Sequence, residues 1–367
     1  MADDKLTQKA GDNAQQVQVD TVIINNGLTE GQVRQIYSEM SVRAKEEYTA
    51  EANQTVEKRI TDFENILIQR IEKIENGFKA FADPEFQLEL KKAQVTSACT
   101  DKEADYEMLS ELLLHRIENK DNRRVKASIS KAVEIVDKID DDALCGLTVA
   151  YSILQFSPVS QGIHDGLEIL DKLFYKLITQ NLPRGSSWIS YLDILDVIRF
   201  SDFASFKKLH DYYFDSLSGY TASGIKKESE EYIKALAILR NANLYKDVLL
   251  DHELLEGYVR LPVTKLNNYK DLTKTVWDAE KGGFKNAELN ETEHKAFDEI
   301  TKLYSKDPKL NKCLKENFAK MWNSFESLSK IQEWWDTIPK QFSITPIGKV
   351  LAHANAQRYE RIPEISF

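Results

Sequence analysis

The order of apolar and polar residues changes period once near the start of the chain. Val17, Val19, Thr21 and Ile23 alternate with Gln16, Gln18, Asp20 and Val22, a run with period two and many β-branched residues. That pattern predicts a short strand, stopped by Asn25-Asn26-Gly27. It is the one strand the pattern marks clearly, and a single strand cannot satisfy its own hydrogen-bond ladder. Thr29 then offers a helix N-cap, with Gln32 in the capping-box position. Apolar residues follow at Val56, Ile60, Phe63, Leu67, Ile71, Ile74, Phe78 and Phe81, spaced by three and four. This spacing predicts a long amphipathic helix reaching about residue 80. Asp83-Pro84 ends it, because the residue before proline is biased away from helix.

Residues 85–260 read as successive helices. One holds Tyr106, Leu109, Leu112, Leu113 and Ile117, and a second holds Ile129, Ala132, Val133, Ile135 and Val136. A third starts after Asp140-Asp141-Asp142 and runs through Leu144, Leu147 and Ile153, while Pro158, Pro183 and Gly185 punctuate the series. Residues 261–290 contain Pro262, Asn267-Asn268 and Gly282-Gly283 with little periodicity, and are predicted to be a linker. In the last stretch Trp322, Trp334 and Trp335 supply bulky core, and Thr345-Pro346 has the form of an N-cap followed by the first helical residue. The expected fold is mainly α, a multi-helix body with a long amphipathic helix and a short N-terminal β segment. Its parts are a polar β segment over 1–28, the long helix over 29–84, a central helical body over 85–260, the linker over 261–290 and a C-terminal helical unit over 291–367.

Composition agrees with this architecture. Apolar residues make up 42% and charged residues 29%, enough to bury a core, and only 14 Gly and 8 Pro interrupt the chain. With 49 basic and 59 acidic residues the formal charge is −10, the opposite of what a duplex-wrapping protein needs, so no nucleic-acid partner is expected. No charged-then-apolar leader and no long apolar run is present, which predicts a cytoplasmic protein without a membrane span. Cys99, Cys145 and Cys313 lie far apart, as in a reducing compartment.

The search for chemistry returns structural readings. Gly219-Tyr220-Thr221-Ala222-Ser223-Gly224 has the glycine spacing of a phosphate loop, but Ile225-Lys226 follows where Lys and Ser/Thr are required. His252-Glu253-Leu254-Leu255-Glu256 approximates a helical zinc motif without a third ligand, and Glu111 with His115 lacks partners in the same way. Asp140-Asp141-Asp142 suits a helix N-terminus better than a cation site, and Cys145 lies in an apolar run that suits a buried thiol. Lys120, Arg123, Arg124 and Lys126 form the densest basic patch, without interleaved aromatics for base stacking. No catalytic, cofactor-binding or metal-ligating residue is assigned, and no cofactor is expected.

Several segments resemble an uncharacterised family of bacterial cytosolic proteins: Lys9 to Asn13 with the strand after it, Asp105 to Leu113, Lys131 to Ile139, and Ile344 to Ala356. A narrower likeness covers Ile344-Thr345-Pro346-Ile347-Gly348, which resembles the Leu-Thr-x-x-Gly element of abortive-infection alpha-type proteins, with Ile in place of Leu. Gly11-Asp12-Asn13 is similar to the openings of some bacterial defence and effector proteins. The family resemblance transfers no catalytic residue, and the two narrower likenesses together imply a role in phage resistance.

The function expected is a non-enzymatic, self-assembling module of anti-phage defence or stress response that binds another protein. Alternatives are an enzyme with a dispersed site, a nuclease or nucleotide hydrolase, and a cytosolic scaffold unrelated to immunity. Assembly into a homo-oligomer is assigned to Val17, Val19 and Ile23 of the strand and to Ile60, Phe63, Leu67 and Ile74 of the helical seam, since an unpaired strand edge and an uncovered seam both template other copies.

Overall fold

Long helical stretches joined by strands of two to six residues make up the described chain. The structure, a computed structural model, describes residues 30–74, 77–119, 121–200, 205–266, 268–269, 272–278, 283–360 and 362–363; side chains of 30–48 and 275–286 are outside the description. Helix α1 (Glu30–Ile71) is followed by α2 (Pro84–Cys99), α3 (Glu103–Glu118), α4 (Arg123–Val133), α5 (Asp141–Gln155), α6 (Ile163–Leu177) and α7 (Ser187–Ile194). Strand β1 (Ile198–Phe200) leads to α8 (Leu209–Ser216), α9 (Ser218–Thr221), β2 (Ile225–Lys226), α10 (Glu230–Asn241), β3 (Leu250–Asp251) and β4 (Tyr258–Arg260). Strands β5 (Thr273–Asp278) and β6 (Gly283–Glu288) precede α11 (Glu291–Lys302), α12 (Pro308–Asn323), α13 (Glu326–Thr337), β7 (Phe342–Ile344) and α14 (Pro346–Gln357). No helix among the described residues is long and apolar enough to cross a membrane.

The chain divides into two compact units, Met1–Glu57 and Lys58–Phe367. In the first, the described part is the opening of α1, where the Thr55 hydroxyl donates to the Glu51 carbonyl at 2.9 Å. The second holds two apolar clusters. The larger joins Phe63, Leu67 and Ile71 of α1 to α2–α8 and α12–α14. The smaller gathers Ile225, Ala235, Leu239, Val259, Phe297 and Ile300 from α10, α11 and the sheet of order β2-β4-β3.

Helix α14 is the central strut of the larger cluster. Val350, Leu351, Ala352, Ala354 and Ala356 are buried against α3, α4 and α5, and the alanines let backbones approach closely. Its start is fixed by Thr345, whose hydroxyl accepts from Gly348 N at 3.1 Å and donates to the carbonyls of Asp196 and Val197. The adjacent strand β7 pairs antiparallel with β1, Ile198 opposite Ile344 and Phe200 opposite Phe342. The expected cap at Thr345-Pro346 is thus also a tether to a distant strand.

Other expectations are redrawn by the packing. The helix read as reaching residue 80 ends at Ile71, and Gly77–Ala82 form a separate 3-10 turn. A Cβ on Gly77 would sit 2.6 Å from the Ile71 carbonyl, so the chain doubles back there and breaks the seam. Asp83-Pro84 opens the next helix, Asp83 accepting from Glu85 N as the cap of α2. The stretch 261–290 read as a linker carries the antiparallel pair β5–β6, and its Leu261, Val263 and Tyr269 are buried in the smaller cluster. Helix α11 belongs to that cluster while α12–α14 join the larger one, so 291–367 is shared between two cores and is not one unit. The strand over 16–24 and the Thr29 cap lie outside the described residues.

Candidate functional site

The sequence of α2 places a glutamate in the buried stripe of an amphipathic helix. Phe86, Glu89, Ala93 and Thr96 recur every three or four residues and are all buried, while Leu88 and Val95 on the outer face are 65% and 60% exposed. Helix α4 is capped by Asn122, whose side chain accepts from the amides of Arg124 and Val125. It buries Val125, Ile129, Ala132 and Val133, and turns Arg123, Lys126 and Ala127 towards α2. Glu85 meets Lys126 at one end of the pair and Lys92 meets Ser130 and Glu134 further along, so α2 and α4 run in the same direction. Between them lies an open groove of about 1060 Å³, with Arg116 from α3 in its wall.

Most charges in this groove are committed to each other. Arg116, nearly fully buried, donates to Glu85 Oε2 at 2.9 Å, and Lys126 Nζ reaches the same oxygen at 2.5 Å. Lys126 foremost, with Arg116, holds the Glu85 carboxyl below its ordinary range. Lys92, together with Lys131, does the same for Glu134, and Lys138 donates to the Glu134 carbonyl at 3.0 Å. The exposed pairs of Glu134 with Lys92 and Lys131 order the rim and add little stability. Three groups differ. Lys91 and Arg123 line the groove with no ion pair among the described residues. Glu89 is 7% exposed, its Oε1 has no hydrogen-bond partner, and burial raises its carboxyl above the usual range. A buried acceptor without a partner costs about 1–3 kcal/mol, a cost that an arriving donor removes.

The residues assigned to assembly fall elsewhere. Val17, Val19 and Ile23 lie outside the described residues. Phe63 and Leu67 are 0% and 2% exposed and belong to the chain's own core, and Ile60 and Ile74 are half-buried. The seam is therefore covered by α2, α3 and their neighbours, which corrects its reading as a surface for other copies at Phe63 and Leu67.

The remaining motifs take structural work. Asp140 caps α5 by accepting from Ala143 N at 2.8 Å, and Lys102 pairs with Asp141. Glu253 accepts the amides of Ile163 and His164 at the start of α6, and the buried His252 bonds the Ala222 carbonyl at 2.7 Å, so this pair staples loops. Gly219 lies in α9, where a Cβ would be 2.2 Å from the Val263 carbonyl: close backbone packing explains it. Burial pushes the Cys145 thiol up, as expected for an inert thiol. Glu111 is paired with Arg70, and the His115 ring packs against His353 at 4.9 Å between centres, tilted by 48°. In the basic patch Lys126 is bound to Glu85, and Lys120 lies outside the described residues. His164, Asp165 and Glu168 bring ligand atoms within 4.8 Å on an exposed turn, where Lys172 already engages Glu168. Sequence reasoning passed over Glu89, although a lone acid between Phe86 and Ala93 on a buried stripe is a readable signal.

Comparison with known proteins adds a family and no activity. No curated protein and no solved structure matches the chain. The model of an uncharacterised protein family matches residues 27–365, and the chain belongs to that family.

Proposed function

We propose that this protein is a cytoplasmic, non-enzymatic module of bacterial defence that binds a helical segment of a partner protein in the groove between α2 and α4. One observation carries the binding reading: Leu88 and Val95 stand 65% and 60% exposed beside a buried Glu89 oxygen with no partner. The two apolar residues are seven apart, two turns of helix, which matches the repeat of an amphipathic helix laid along the groove. Covering them contributes roughly 1–3 kcal/mol each. The partner helix that fits has an apolar stripe for this ridge, carboxylates for Lys91 and Arg123, and one hydrogen-bond donor for Glu89.

The defence assignment rests on the likeness of Ile344–Gly348 and of Gly11-Asp12-Asn13, and self-assembly rests on the period-two pattern of Val17, Val19 and Ile23. Each has its own test. Phage plating on cells with and without the gene addresses defence, and unchanged plating over a broad panel refutes it. Light scattering addresses assembly, and a monomer at tens of micromolar refutes it. For the groove, Leu88→Asp with Val95→Asp leaves the helical circular dichroism intact, because both residues face solvent. A photoreactive benzoylphenylalanine at position 91 then captures a partner in cells in the parent background. Equal capture of the same partner in the double variant overturns the groove.

A further inference from the structure

Away from the groove, a second feature is a cavity of about 260 Å³ between two loops, 157–161 and 262–265, closed on one side by Asn268, Leu272 and Thr273. It is just below the size of drug-binding pockets, which begin at about 300 Å³. Its walls are pinned from behind. Arg260 is fully buried and donates to the carbonyls of Gln161 at 2.5 Å and Leu261 at 3.0 Å, with its guanidinium 5.2 Å from the centre of the Tyr220 ring. The Tyr220 hydroxyl donates to the Ser160 carbonyl at 2.7 Å, and Thr264 Oγ1 donates to the Pro158 carbonyl at 3.1 Å. The Thr264 carbonyl in turn accepts from Gly219 N at 2.9 Å. Both loops are therefore held by the same buried residues, and the cavity is formed before anything enters it.

Among the described residues, Lys265 is the one ionised residue of the lining, and no carboxylate lines the cavity or pairs with that ammonium. Among the described residues the one carboxylate near the buried Arg260 is Glu253, 3.7 Å away, and its oxygens are already occupied by the α6 amides. The side chains of Ser157, Ser160, Gln161 and Asn268 also make no hydrogen bond among the described residues, so donors remain for a ligand beside the ammonium. Pro158, Pro262 and Leu272 supply an apolar surface for its body.

We propose that this cavity binds a small organic anion, its carboxylate or phosphate head on Lys265 and its apolar body against the two prolines. The inference is independent of the groove reading and fails or stands apart from it.

Matched probes test it: phenyl phosphate, phenylacetate and the neutral 2-phenylethanol, titrated into the full-length protein by calorimetry with amide NMR shifts as the second readout. At least one anion is expected to bind with Kd below about 1 mM, and the alcohol at least about tenfold more weakly. Whichever head binds, phosphate or carboxylate, names the ligand class. Lys265→Met keeps the stem and removes the charge, and weakens anion binding about tenfold or more; Gln161→Glu, which sets a carboxylate on the lining, does the same. Both residues bear exposed or half-exposed side chains without partners, so both variants melt with the parent, and a variant that does not is replaced by the other. Neither anion binding, an alcohol that binds as well, or affinity unchanged in Lys265→Met overturns the proposal.

Discussion

Replacing Gly348 by alanine adds one methyl group at the tightest contact around α14. A Cβ built there lies 2.1 Å from the Val197 carbonyl oxygen and 2.9 Å from Ile344 Cγ2. The carbonyl cannot swing aside cheaply, because it accepts from Thr345 N at 3.0 Å and from Thr345 Oγ1 at 2.9 Å. Either α14 backs away from the end of β1 by about 1 Å or that oxygen gives up its bonds. Overpacking of a fixed site costs about 1–3 kcal/mol, and two weakened hydrogen bonds cost about 1 kcal/mol each, so a loss near 3 kcal/mol is expected. For a cooperative unit of this size that is a fall in Tm of about 5 °C. Urea and thermal melts, followed by circular dichroism, read it directly. Lys349→Ala is the control, since its side chain has no hydrogen bond or ion pair among the described residues, and it changes stability by no more than about 0.5 kcal/mol. A Gly348→Ala protein that melts within about 1 °C of the parent would show that the close approach of α14 to β1 is not a constraint, and the reasoning fails.

Thr345→Ala removes both the cap of α14 and the tether to Asp196 and Val197, and is expected to cost about 1–2 kcal/mol, with Thr345→Ser recovering most of it; equal melts for all three refute the cap. Burial lowers His115 to about 4, His353 to about 3 and His252 to about 4, so these rings are neutral in the fold and take up protons on unfolding. Their contribution is present above the unfolded value near 6.5 and is lost as pH falls below it, by about 1.4 kcal/mol per pH unit for each ring. The buried Glu89 and Asp105 and the half-buried Glu111, whose carboxyls burial raises, act in the opposite direction, adding stability as pH falls from their raised values to the ordinary carboxylate value. Urea midpoints that do not fall between pH 6.5 and 5 contradict the burial of the histidines. Among the thiols, the exposed Cys99 should alkylate within minutes while the buried Cys145 reacts only on unfolding; mass spectrometry showing label on Cys145 in native buffer refutes its burial.

Helices were legible along this chain because their pattern is local. The apolar spacing of Tyr106, Leu109, Leu112 and Leu113 places α3, and the acids before Ala143 mark the start of α5, since a helix is decided by residues three and four apart and by its own cap. Thr345-Pro346 marks the start of α14 for the same reason. Strands β1 to β4 and β7 were not legible: two or three residues carry no periodicity, and their ladders close on partners as distant as Ile198 and Ile344. The candidate groove was half visible. Its basic residues stand out in sequence, but whether Lys126 is free or bound to Glu85 depends on how α2 and α4 lie together. The seam from Val56 to Phe81 shows the same division. Its spacing determined that a helix would form as far as Ile71 and that Phe63, Leu67 and Ile71 would share one face. Only the fold decided that Phe63, Leu67 and Ile71 would be covered by the chain itself, because apolar burial has no direction and a stripe in a sequence does not say what will cover it.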